Sequence, residues 1–116
     1  MTYSKKDIIM TWHVHLIEAA EKELALLPAD LKARFLRVAE LLEAFGPQKV
    51  GLPHVRPLAS KLWEMRMSGK DGIARAVYVA AKGQRLVVLH VFVKKTQATP
   101  RRAIETALAR LKELEL

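Results

Sequence analysis

The residues best suited to chemistry are cations that recur on strand-like segments in the second half of the chain. Arg66 and Arg75 lie in two successive segments of this kind, and Lys94 and Lys95 end a third. His90 lies in that third segment, and histidine is the residue type that gains and loses a proton near neutral pH. The pattern therefore favours a surface that binds anions and holds one natural candidate for proton transfer.

The positive charge of the chain is concentrated in the same half. The net charge is +8, with six cations against seven carboxylates in residues 1–47 and fourteen against five in residues 48–116. Such an excess is typical of proteins that bind the phosphates of nucleic acids. The alternative is a well-solvated basic surface with no nucleic-acid partner.

Several classes of protein and site are excluded or disfavoured by composition. The absence of cysteine excludes a disulfide scaffold, a cysteine nucleophile and thiolate metal centres. His13 and His15 are two residues apart, but no further histidine or carboxylate pattern completes a metal site, and no glycine-rich phosphate loop is present. No apolar run approaches the roughly 18–20 residues of a membrane span, and the N-terminal stretch is too polar for a secretory signal. We expect a cytoplasmic protein with no metal or cofactor.

The elements that must position the cations follow from periodicity and breakers. We predict a strand over residues 8–16, a helix from residue 17 to Pro28, and a second helix from about Asp30 to Gly46. After a loop over residues 46–60, strands are predicted over 62–67, 73–81 and 86–93. A final helix has Thr99 as N-cap and Pro100 in its first position. One domain over residues 1–116 results, of class α+β and order β-α-α-β-β-β-α, with a helical hairpin and a C-terminal helix packed on an antiparallel sheet.

Strand alternation places the polar residues of these segments on one side of the predicted sheet. In the last strand the more uniformly apolar side, which we expect to meet the helices, consists of Val87, Leu89, Val91 and Val93. The candidate set for the other surface is Arg66, His90, Phe92 and Lys94, joined by Arg75 if its strand pairs in phase. Cations there would bind RNA phosphates while an aromatic ring stacks on bases. The alternative is an exposed sheet face on which long cationic side chains cover apolar neighbours.

Other charged residues near this surface are given roles of their own. Glu64 is the only carboxylate in the set, and we interpret it as a cross-strand partner of Arg66 or Arg75. Arg101 and Arg102 open the final helix, a poor place for cations unless an anion binds there. We assign RNA contacts to these two arginines, to Phe92 and to Lys61, which precedes the strand of Arg66.

Four motifs together resemble one family of bacterial toxins. They are LWEMR at residues 62–66, an arginine-containing second strand, LHVFVKKT at residues 89–96, and TPRRAIETA at residues 99–107. In this combination the chain resembles the RelE/ParE superfamily, and more closely its HigB-like, phage-derived branch. The resemblance extends over nearly the whole chain, because the superfamily also begins with a strand and a helical hairpin.

The resemblance implies the toxin of a type II toxin–antitoxin system. Such toxins are metal-independent endoribonucleases that cleave messenger RNA, typically on the ribosome, through attack of the ribose 2′-hydroxyl on the adjacent phosphate. The family's catalytic residues carry over onto Arg66, Arg75, Lys94 and Lys95, with His90 as the acid–base candidate. Arg75 and one of the two lysines are expected to clamp the scissile phosphate. The implied partners are messenger RNA on the ribosome and a cognate antitoxin with a helix-turn-helix DNA-binding part, with no membrane partner.

A second function class stays open at this point. The ParE side of the superfamily shares the fold and poisons gyrase, so the fold alone does not assign the target. Ala74 stands where many relatives have an aromatic residue before the second-strand arginine, which implies a different nucleotide pocket or tighter packing. The alternative is therefore a ParE-like or degenerate toxin that acts by binding a protein. His90 and the KKT segment favour the ribonuclease.

Overall fold

The helices and strands follow the predicted order, with one additional strand. The structure is a computed structural model and describes residues 12–70, 72–95, 98–114 and 116. Its elements are β1 (His13–Leu16), α1 (Glu18–Ala25), α2 (Ala29–Phe45), β2 (Val55–Pro57), β3 (Trp63–Gly69), β4 (Gly72–Ala81), β5 (Arg85–Lys94) and α3 (Arg101–Lys112). The α+β class is confirmed, while residues 8–11 of the first predicted strand lie outside the described residues.

The strands form one mixed sheet in the order β1-β5-β4-β3-β2. β2, β3, β4 and β5 pair antiparallel, as the predicted hairpins require, whereas β1 pairs parallel to β5. β2 lies in the segment that was predicted as a loop, so the expectation of four strands is wrong. It pairs with β3 through three residues and ends at Pro57, which has no N–H to donate to a ladder.

Helices cover both faces of the sheet, which corrects the prediction that one apolar face would meet all of them. α1 and α2 pack on the face that carries Leu86 and Val88, and α3 packs on the face that carries Val87 and Leu89. A bulge in β5 contributes to this arrangement: Val88 and His90 oppose consecutive residues of β4, so Leu89 is the extra residue between them. Because a bulge shifts strand alternation by one position, Val91 returns to the α1–α2 face.

The start of α3 also differs from the prediction. Pro100, rather than Thr99, is the N-cap residue, and it provides no side-chain cap. The Thr99 hydroxyl instead donates a hydrogen bond to Glu64 Oε1 at 2.5 Å. An ionised carboxylate is a stronger acceptor than a neutral group, so this bond competes successfully with helix capping. Among the described residues, no helix has both the length and the apolar character needed to cross a membrane.

Candidate nucleic-acid interface

Four cationic side chains surround one carboxylate on the α3 side of the sheet. We call this group the Glu64 cluster, and it consists of Arg56, Glu64, Arg66, Arg75 and Lys94. Its geometry comes from strand register, because directly paired residues of neighbouring strands lie on the same side of a sheet. Arg66 is opposite Arg75, and Arg75 is in turn opposite Phe92. The register of β4 therefore places Arg75 on the same side of the sheet as Arg66 and Phe92, which was the condition for Arg75 to join the candidate set.

The Glu64 carboxylate is only 1% exposed and lies close to two of the four cations. Its Oε2 atom is 3.0 Å from Arg56 Nε and 3.7 Å from Arg75 Nε. The interpretation of Glu64 as a cross-strand partner is therefore confirmed for Arg75. Among the described residues of the cluster, one carboxylate stands against four cations, so these residues together carry excess positive charge.

Burial adds to the electrostatic cost of this excess. Arg75 is 2% exposed and Lys94 is 5% exposed. Burial lowers the pKa of Lys94, and repulsion from Arg75 lowers it further, while Glu64 acts in the opposite direction. The pKa of Arg75 is likewise lowered by burial and by its cationic neighbours, against the attraction of Glu64. A further anion near these groups would relieve the repulsion.

His90 belongs to a second polar group, next to the cluster on the same face. Its Nδ1 atom is 3.0 Å from both carboxylate oxygens of Glu23, on α1. Arg110, on α3, donates to the same two oxygens at 2.9 and 3.0 Å, and the Val91 N–H donates to one of them at 2.9 Å. Burial raises the pKa of Glu23, but the hydrogen bonds from Arg110, Val91 and His90 outweigh it, so the net shift is downward. These bonds tie both helices to β5.

Phe92 connects the two groups. It lies opposite Arg75 in the register, and its ring stacks on that of His90 with centroids 5.0 Å apart. Both rings line a groove of 330 Å³ that runs along α3 and also includes Arg102 and Arg110. For stacked bases and phosphates this groove offers the Phe92 ring and the exposed Arg102, whereas Arg110 is paired with Glu23.

The remaining predicted residues are more dispersed. Lys95 is exposed directly after β5, and Arg101 is exposed on α3 with its Nε 3.6 Å from Glu105. Lys61 lies beside Lys82 at the opposite end of the sheet. The structure therefore brings Arg66, Arg75, Phe92 and Lys94 together with His90 beside them, whereas Lys61 is remote.

Sequence reasoning missed three charged residues of these groups. Glu23 lies three residues after the buried Ala20, and Arg110 lies three residues after the buried Ala107. Both therefore occupy the inward stripe of an amphipathic helix, where a charged residue signals a buried partner. Arg56 carries no such signal, because its segment has no periodic pattern.

The arrangement can bind a phosphate ester and transfer a proton. The cations supply positive charge for a bound phosphate. Since Glu23 holds Nδ1 of His90, Nε2 is the ring nitrogen available for proton transfer. Within the part of the chain that the structure describes, no group of three or more histidine or carboxylate side chains could hold a metal ion.

Comparison with known proteins identifies the family. Residues 22–112 match the family of the phage-derived protein Gp49-like (DUF891). No curated protein matches the chain.

Solved structures of RelE proteins have the same fold. A free Escherichia coli RelE toxin carrying two arginine-to-alanine substitutions is 16% identical, with a TM-score of 0.63 over 88% of this chain and 99% of that one. A chain of the RelBE2 toxin–antitoxin complex of Mycobacterium tuberculosis is 22% identical, with a TM-score of 0.54 over 72% of this chain and 99% of that one. A chain of the archaeal RelE–RelB complex of Pyrococcus horikoshii is 24% identical, with a TM-score of 0.54 over 77% of this chain and 100% of that one. The chain therefore belongs to the phage-derived Gp49-like family and has the RelE fold, which confirms the resemblance to the RelE/ParE superfamily.

Proposed function

We propose that this protein is the toxin of a type II toxin–antitoxin system and a metal-independent endoribonuclease that cleaves messenger RNA on the ribosome. The observation that carries the proposal is the Glu64 cluster, in which Arg66, Arg75 and Lys94 share one sheet face with a single carboxylate. A phosphodiester would bring negative charge next to these cations. The function implies a cytoplasmic protein.

The reaction is an attack within the RNA strand. The ribose 2′-oxygen loses its proton and bonds to the adjacent phosphorus, and the bond from phosphorus to the 5′-oxygen breaks. The products are a 2′,3′-cyclic phosphate and a 5′-hydroxyl end, to which a proton is delivered. Arg75 and one of Lys94 or Lys95 stabilise the charge of the pentacoordinate phosphorus, and Arg66 lies beside them.

His90 is the proposed proton carrier, acting through Nε2. Its Nδ1 is held by Glu23, which fixes the orientation of the ring and leaves Nε2 to exchange the proton. The ribosome would supply the orientation of the RNA, which lowers the demand on the acid–base groups.

The second proposed partner is an antitoxin. One of the similar structures is the RelBE2 toxin–antitoxin complex, and another is an archaeal RelE–RelB complex. We expect a cognate antitoxin with a helix-turn-helix DNA-binding part, a segment of which covers the basic face or packs beside it. Charge reversal at the exposed Arg101 and Arg102 should weaken that complex, and unchanged affinity would place the antitoxin elsewhere.

The function is tested by primer extension on messenger RNA after brief induction of the protein in bacteria. Wild type should produce cuts within translated regions, and Arg75→Ala should abolish them. Lys82→Ala, which removes an exposed charge at the far end of the sheet, is the matched control and should cleave normally. Because Arg75 is buried, thermal melts must show that the variant folds, and Arg75→Lys provides a variant that retains the charge.

Two other outcomes would overturn the proposal. Growth arrest without RNA cuts would assign the toxicity to a protein target, as in the ParE-like alternative. Neither arrest nor cuts from the folded wild-type protein would assign a binding role without catalysis. Unchanged cleavage by folded Arg75→Ala and by the double variant Lys94→Ala/Lys95→Ala would refute the site assignment.

A further inference from the structure

A second cationic pocket lies at the edge of the sheet, between α2 and the residues that precede β2. Its volume is 160 Å³. Three arginines, a histidine and a serine supply its polar lining, and its described lining is Arg34, Arg37, Val38, Pro53, His54, Arg66 and Ser68. We call it the Arg34–Arg37 pocket. Lys94, the key lysine of the Glu64 cluster, does not line it.

The fold positions these residues through one helix and one strand edge. Val38 is buried in the core between α2 and the sheet, which places Arg34 and Arg37 on the exposed flank of the helix, one turn apart. The Arg66 N–H donates a 2.7 Å hydrogen bond to the His54 carbonyl. This bond extends the β2–β3 pairing by one step and holds His54 beside Arg66.

The pocket concentrates positive charge, and none of the described residues that line it is acidic. Arg34, Arg37 and Arg66 take part in none of the salt bridges found among the described residues. Like charges that converge in this way repel each other unless an anion binds between them. The planar guanidinium groups of arginine match the geometry of a phosphate, with two parallel hydrogen bonds from each group.

Arg66 links this pocket to the Glu64 cluster. It lines the pocket, and it also lies directly opposite Arg75 in the strand register. We infer that the Arg34–Arg37 pocket binds a second phosphodiester of the same RNA strand, next to the phosphodiester held by the Glu64 cluster. The inference rests on the proposed function for its substrate. It adds a subsite that holds the strand without taking part in the chemistry.

The test measures binding in the absence of cleavage. The probe is a short single-stranded RNA that carries 2′-O-methyl groups at every position, so it cannot be cleaved by attack of a 2′-hydroxyl. Its binding is measured by fluorescence anisotropy. Arg34→Gln/Arg37→Gln should weaken binding about tenfold, which corresponds to the loss of one charge-assisted contact. The slope of log affinity against log salt should also become shallower by about 0.7, the value for one phosphate on a single strand.

A matched variant separates the pocket from general charge. Lys82→Gln/Lys112→Gln also removes two exposed positive charges, at the β4–β5 turn and at the end of α3. It should bind the probe within about twofold of wild type, since long-range attraction between exposed charges is screened by salt. An equal loss of affinity in both double variants would overturn the inference.

Neutral linkages locate the contact along the strand. A methylphosphonate that replaces the contacted linkage should weaken binding to wild type but have little further effect on Arg34→Gln/Arg37→Gln, because both changes remove the same contact. Additive effects at every linkage would overturn the inference. Normal probe binding by Arg34→Gln/Arg37→Gln would also overturn the inference, even if the affinity of this variant for ribosomes fell.

The outcome is independent of the proposed catalysis. Messenger RNA cleavage by wild type together with unaltered probe binding by Arg34→Gln/Arg37→Gln would refute the subsite and leave the ribonuclease intact. Selective loss of probe binding, with no cleavage by wild type, would support the subsite and refute the ribonuclease.

Discussion

The Glu23 carboxylate joins α1, β5 and α3, so its removal should destabilise the fold. In Glu23→Ala, Arg110 and the Val91 N–H lose their shared acceptor, and His90 loses its Nδ1 partner. The helices would then pack on β5 through apolar contacts and the remaining bond from Arg110 to the Leu89 carbonyl. We expect a lower free energy of unfolding without a change of fold.

The magnitude follows from the hydrogen bonds and their exposure. Hydrogen bonds to charged groups contribute about 1.5–3 kcal/mol each, but bonds that share one carboxylate are not additive. The Glu23 and Arg110 side chains are 24% and 26% exposed, so water screens the pair and replaces part of what is lost. We therefore expect a loss of about 2 kcal/mol, close to the cost of one good charge-assisted bond. In a protein of this size that loss lowers Tm by about 8 °C.

The loss of stability in Glu23→Ala should depend on pH, and the direction of that dependence follows from the pKa of the Glu23 carboxylate. The pKa of Glu23 is lowered in the folded state from its ordinary value of 4.5. The stabilisation is therefore fully present above about pH 4.5, and it is lost as the pH falls through the folded-state pKa. The difference between wild type and Glu23→Ala should be constant near neutral pH and should shrink in acid.

Urea denaturation followed by circular dichroism at pH 7 and at pH 3.5 measures both effects. Glu21→Ala, an exposed position on the same helix, is the control and should stay within about 0.5 kcal/mol of wild type. A double-mutant cycle with Arg110→Ala should give a coupling energy of about 1 kcal/mol. The reasoning fails if Glu23→Ala costs no more than Glu21→Ala, or if its cost is the same at both pH values.

Two further changes test a buried charge and a close contact. Glu64→Ala leaves the buried Arg75 without its carboxylate, so urea melts should show a loss of about 3 kcal/mol; a loss below about 1 kcal/mol would contradict the buried ion pair. Gly69→Ala would place its methyl group against the Asp30 carboxylate, with an expected cost of about 1–3 kcal/mol in the same assay. Gly51→Ala, where a methyl group meets open space, is the control for this change, and equal effects of the two would refute the steric argument.

The sequence by itself determined the order of the elements other than β2. Turn residues and apolar periods are local signals, and they predicted the α1–α2 hairpin and the β3–β4–β5 meander. Short hairpin connections fix the pairing of neighbouring strands, and the period of two then fixes which side chains share a face. Register accordingly places Arg66 opposite Arg75, whereas Lys94 shares their face only because the bulge at Leu89 shifts the second half of β5 by one position.

Tertiary structure alone decided the surroundings of those cations. His90 meets Glu23 across 67 residues of sequence, and Arg110 meets Glu23 across 87. The extra residue at Leu89 moves Val91 to the other face, and no local pattern announces it. The same holds for β2, whose three residues become a strand only because β3 offers them a partner edge.

The Arg34–Arg37 pocket likewise combines features that the sequence predicts with contacts that only the tertiary structure decides. The helical period of α2 predicts which of its residues are buried, but it does not predict that Arg34 and Arg37 stand beside His54 and Arg66. That neighbourhood depends on how α2 lies across the sheet and where the loop before β2 returns to β3. Local periodicity assigns a side chain to a face, whereas only the packing of distant elements decides which charges meet there.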